Sequence, residues 1–108
     1  MKTITNINEA VNFMYRKVIE EDEYDFTIPC EIGSGDGVIK EIQLLEVDTN
    51  KFELCISTER FYHRNYYHGK KKVKSTMTML HKITKNKDAQ INAGHFCQKT
   101  IKIVGKGR

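Results

Sequence analysis

The sequence predicts an α+β fold, an N-terminal helix packed on an antiparallel sheet of three or four strands, with a second helix over residues 75–85. Three observations lead there. One stretch near the start repeats its apolar residues at helical spacing. Several stretches in the middle alternate apolar and polar residues between turn-forming residues. The 108-residue length suits one hydrophobic core and is too short for two, so the chain is read as a single domain over 1–108.

Asn6 and Glu9 have the three-residue spacing of a capping box, in which side chains satisfy the free amides at a helix start. Ile7, Val11, Met14 and Val18, with Ala10 on the same stripe, then predict a helix over about 7–21. Its end carries Glu20, Glu21, Asp22 and Glu23, negative charge where the helix dipole is already negative. Tyr24, Phe26, Ile28, Cys30 and Ile32 alternate with polar residues as a half-buried strand does. Pro29 lacks an amide hydrogen and so predicts an edge position. The glycines of 33–37 predict a turn. Asp36 and Glu31 oppose an anion there, so a hairpin is expected and not a phosphate cradle.

Residues 38–47 read as a second strand whose apolar positions change phase between Leu44 and Leu45, the mark of a bulge. Asp48, Thr49 and Asn50 form the next turn, and Phe52, Leu54 and Ile56 a third strand. The stretch 75–85 fits a helix with Met79, Leu80 and Ile83 inward. A strand with Val73, Met77, Met79 and Ile83 on one face is the alternative. Residues 86–94 read as a loop, and 96–104 as a last strand before a basic tail.

Charge is divided along the chain. Residues 1–54 carry five Lys or Arg against twelve Asp or Glu, whereas residues 55–108 carry thirteen against two. Such asymmetry points to a polyanionic or acidic partner for the second half, and to a homodimer through opposite charges. No apolar run approaches membrane-spanning length and the first residues lack the apolar region of a signal peptide, so an intracellular, cytoplasmic protein with no membrane partner is expected. Cys30, Cys55 and Cys97 are odd in number and widely spaced, which suits reduced thiols.

The least ordinary stretch is FYHRNYYHGKKKVK, residues 61–74, which mixes aromatic rings with fixed positive charge. Lysines and arginines displace counterions from phosphates, and exposed rings stack on unpaired bases. Arg60, Arg64, Lys70, Lys71, Lys72 and Lys74 are the candidate cations. Tyr62, Tyr66 and Tyr67 are the candidate stacking rings, with His63 among them. The same residue types also dominate protein interfaces, so a protein-interaction adaptor is an alternative. A second alternative is enzymatic: a small metal-independent ribonuclease or toxin, with His63 or His95 as proton carrier and Lys70 or Arg64 over the phosphate. A zinc site from His95 and Cys97 with Cys30, Cys55 or another His lacks the paired spacing of familiar fingers, and no cofactor motif is present. Met14, Met77 and Met79 are expected in the core.

A helix, a three-stranded meander and GKKKVKS at a second helix start resemble, over residues 6–85, a double-stranded RNA binding domain. That resemblance implies phosphate contacts for Lys70, Lys71, Lys72 and Lys74. In size and style the chain also resembles the small inhibitors of phages, anti-CRISPR proteins included. The function expected is therefore a non-enzymatic binding protein, a phage or mobile-element inhibitor, whose basic second half engages nucleic acid or the nucleic-acid channel of a host nucleoprotein enzyme.

Overall fold

A computed structural model describes residues 2–34 and 37–85, though not the side chain of Ser34. The predicted loop over 86–94 and strand over 96–104 lie outside the described residues, as do His95, Cys97 and the basic tail. Helix α1 spans Ile7–Tyr15 and runs on into a π-helical turn, Arg16–Glu20. Asn6 caps it as its position predicts, its Oδ1 accepting from the amides of Asn8 at 2.8 Å and Glu9 at 3.3 Å. Ile7, Ala10, Val11 and Met14 face the core, and the wider π turn keeps Val18 on that same side. Asp22 then closes the segment in a left-handed conformation with φ of 52°.

Four strands follow, β1 (Phe26–Ser34), β2 (Gly37–Asp48), β3 (Lys51–Thr58) and β4 (Tyr62–His68), and helix α2 (Lys70–Lys85) ends the described chain. They form one antiparallel sheet in the order β1-β2-β3-β4. Side chains alternate across a strand, so the register decides which residues share a face. Phe26 stands opposite Leu44, Ile28 opposite Ile42, Leu44 opposite Leu54, Ile42 opposite Ile56, and Phe52 opposite Tyr67. This face packs against both helices. Burying each such aliphatic chain contributes about 1.5–3 kcal/mol.

The bulge expected between Leu44 and Leu45 is absent, since these two pair in unbroken succession with Leu54 and Glu53. The register slips instead between Ile39 and Glu41 and again between Glu46 and Asp48. The first slip lets Ile39 and Ile42, three residues apart, both point inward. Leu45 therefore lies on the outer face, and Val47 is exposed.

Residues 75–85 are helical, not extended. The helix begins five residues before the predicted start, at Lys70. Val73, Thr76, Met77 and Leu80 form its buried stripe. Met79, expected inward, is exposed because it falls off that stripe, while Met14 and Met77 are fully buried. Gly69, with φ of +92°, makes the sharp passage from β4 into α2, where any side chain would be strained.

Candidate nucleic-acid interface

The stretch 61–74 divides into a strand and a helix start, and strand alternation sorts its residues. Tyr62, Arg64, Tyr66 and His68 project from the outer face of β4, opposite Ser57, Cys55, Glu53 and Lys51 of β3. His63, Asn65 and Tyr67 project toward the helices. Tyr67, expected among the contact residues, is 1% exposed and fills the core against α2. Burial raises its hydroxyl pKa and the neighbouring Thr76 hydroxyl pulls slightly the other way. It cannot stack on a base from there. His63 is half-buried beside the Phe61 ring, centroids 6.3 Å apart.

The outer face carries two cations laid on rings. The Arg64 guanidinium lies 5.0 Å from the centroid of Tyr62, and the Lys51 ammonium 4.9 Å from that of Tyr66. Tyr62 is 66% exposed and Tyr66 41% exposed. Glu53 stands opposite Tyr66, its carboxylate 3.9 Å from Arg64 Nε. The hydrogen bond that Tyr66 donates to Glu53 is the first cause raising the Tyr66 hydroxyl pKa. Lys51 was not legible as a site residue in the sequence. It stands ten or more positions from the aromatic stretch, and only the register, Lys51 against His68, brings it there.

Arg60 is exposed in the turn between β3 and β4, which is closed by the Thr58 hydroxyl accepting from the amides of Arg60 and Phe61. Lys70, Lys71, Lys72 and Lys74 occupy the first turns of α2, beyond the opposite end of β4. Two of them are drawn to the acidic half. Lys70 lies over the Tyr24 ring at 5.0 Å, and Lys74 reaches Asp22 at 3.7 Å. The Tyr24 hydroxyl donates to Asp22 at 2.7 Å. That bond is the first cause lowering the Asp22 pKa, with Lys74 and Lys70 adding to it. Lys71 is exposed and Lys72 half-buried. A cleft of about 400 Å³ opens beside this contact, lined by the acidic residues Asp22, Glu23, Asp25 and Glu46 together with Lys70, Tyr24 and Phe52. Its charge opposes a phosphate ligand.

The arrangement expected of a nuclease is not assembled among the described residues. His63 and Arg64 point to opposite faces of one strand, and His63 stands about 16 Å along the strand from the end that leads to Lys70. Cys30 lies in the core and Cys55 on the outer face, and among the described residues no three His, Cys, Asp or Glu side chains gather as metal ligands. Scans against protein-family models, curated proteins and solved structures find no match to this chain.

Proposed function

We propose that this chain is a non-enzymatic binding protein that holds single-stranded nucleic acid on the outer face of β3 and β4, with the lysines at the start of α2 gathering phosphate. The observation that carries this is the pair of exposed tyrosines, each with a cation on its ring, on a sheet face that no described element covers. Tyr62 and Tyr66 lie about 13 Å apart along one strand with Arg64 between them. Bases stack on such rings, and the intervening guanidinium meets the phosphate that joins them. A duplex hides its base faces, so the tyrosines favour an unpaired strand. Glu53 holds the Tyr66 hydroxyl before any ligand arrives, which reduces the ordering cost of binding.

The inhibitor role belongs to the same proposal, since a small module that covers a guide or target strand blocks the enzyme that needs it. Of the two expected targets, the strand is favoured over the channel that holds it. A channel built for phosphate is itself cationic and repels Arg64 and the lysines.

Titration of the protein into labelled oligothymidine and into duplex of the same length, by fluorescence anisotropy across a salt series, tests the reading. Single strand is expected to bind more tightly, with Tyr62→Ala and Tyr66→Ala each weakening it about tenfold or more. Absence of binding at low salt, or unchanged affinity in both tyrosine variants, sinks it.

A further inference from the structure

The two edges of the sheet are treated differently. At the β1 edge, Pro29 contributes no amide and the register breaks between Pro29 and Ile32. The N-terminal segment also docks there, Ile4 donating to Pro29 O at 3.0 Å and accepting from the Glu31 amide at 2.9 Å. Among the described residues the β4 edge has no such protection. Its seven residues pair with β3 without an irregularity, and it contains no proline.

Two bonds fix which backbone groups of β4 point away from β3. The Thr58 amide donates to Phe61 O and the Gly69 amide to Asn50 O, each at 2.8 Å, one at either end of the strand. In an antiparallel ladder, bonded and non-bonded positions alternate, so residues 61, 63, 65, 67 and 69 bond back toward β3. The amides and carbonyls of Tyr62, Arg64, Tyr66 and His68 therefore point out of the sheet, donors alternating with acceptors.

We infer that the free edge of β4 is a strand-addition site for an extended, acidic polypeptide segment of a partner protein. Alternating donors and acceptors match another peptide backbone, whereas a phosphate backbone offers acceptors alone and would face four carbonyls. The charge requirement comes from the surroundings. Between Glu59 and Asp88 the sequence holds no Asp or Glu and nine Lys or Arg. A second copy of β4 added antiparallel would bring Arg60 against Lys70 and its neighbours, like charge on like charge, so the occupant is a foreign acidic strand. It would leave the outer face open, and the inference does not depend on what that face binds.

The test is amide exchange read by NMR on the full chain, alone and with a synthetic peptide that alternates glutamate and valine. The amides of Tyr62, Arg64, Tyr66 and His68 are expected to exchange fast in the free protein and to slow at least tenfold with the peptide. The same peptide with every backbone amide N-methylated keeps its charge and should bind at least tenfold more weakly, and a lysine–valine counterpart should not bind. Equal binding by the N-methylated peptide would show charge attraction without strand pairing and overturn the inference. So would slow exchange of the four amides before peptide is added, which would mean that the edge is already occupied, or their protection by oligothymidine and not by peptide.

Discussion

Tyr24, Cys30 and Tyr67 are buried acids that resist giving up a proton, in each case first because burial penalises the charged form. The Cys30 thiol is pushed up to about 11, with Glu41 adding to the effect, and the Tyr24 hydroxyl to about 12, with the Asp22 carboxylate holding its proton. Tyr67 is raised as well. Below about pH 7.5 all three are protonated whether the chain is folded or not, so their contribution to stability is intact. As pH rises through the ordinary thiol and phenol ranges, the unfolded chain releases protons that the folded one keeps, and the equilibrium moves toward unfolding. Stability should therefore fall steadily from about pH 9 toward pH 12. Urea midpoints followed by circular dichroism across that range should show the decline, and Tyr24→Phe and Tyr67→Phe should each flatten it above about pH 10.

Helix α2 opens with Lys70, Lys71 and Lys72, positive charge at the end of the helix where the dipole is already positive. Nothing in the fold requires Lys71 there. Lys71→Glu should accordingly stabilise the protein by about 0.3–1 kcal/mol while weakening oligothymidine binding. Thermal melting and anisotropy on the same variant measure both, and a variant that gains stability with no loss of affinity would show that the lysine serves solubility alone. The same unfavourable placement hid the helix start, because local electrostatics argue against beginning a helix at three lysines. By contrast α1 was legible, since Asn6 offers a cap and the apolar stripe from Ile7 to Val18 has no competing period. The first three strands were legible for a related reason, their inward sets being aliphatic or aromatic. Strand β4 was not, because its inward set is His63, Asn65 and Tyr67, and a strand whose buried side is polar shows no alternation of hydropathy. The cation–ring pairs depended on that strand and on its register, so the candidate site's residues other than Lys51 were nameable from sequence while their division between two faces was not.

Across the molecule, the acidic first half and the basic second half meet where the end of the π-helical turn approaches the start of α2. Asp22 there competes with any phosphate for Lys74, and its left-handed backbone makes one substitution unusually clean, since asparagine adopts that conformation readily and can still accept from the Tyr24 hydroxyl. Asp22→Asn removes the charge and leaves the turn. With Lys74 released, affinity for oligothymidine at low salt should rise severalfold, and the slope of log affinity against log salt should steepen by up to about 0.7, the increment for one further phosphate contact on a single strand. A surface pair of this kind contributes little to folding, so the melting temperature should scarcely move. An unchanged slope would mean that Lys74 takes no part in binding and that the phosphate path runs over Lys71 and Lys72 or along β4 alone. The double variant Asp22→Asn, Lys74→Ala separates these routes, because it should return affinity to the wild-type level or below only if Lys74 is the cation that the aspartate was holding.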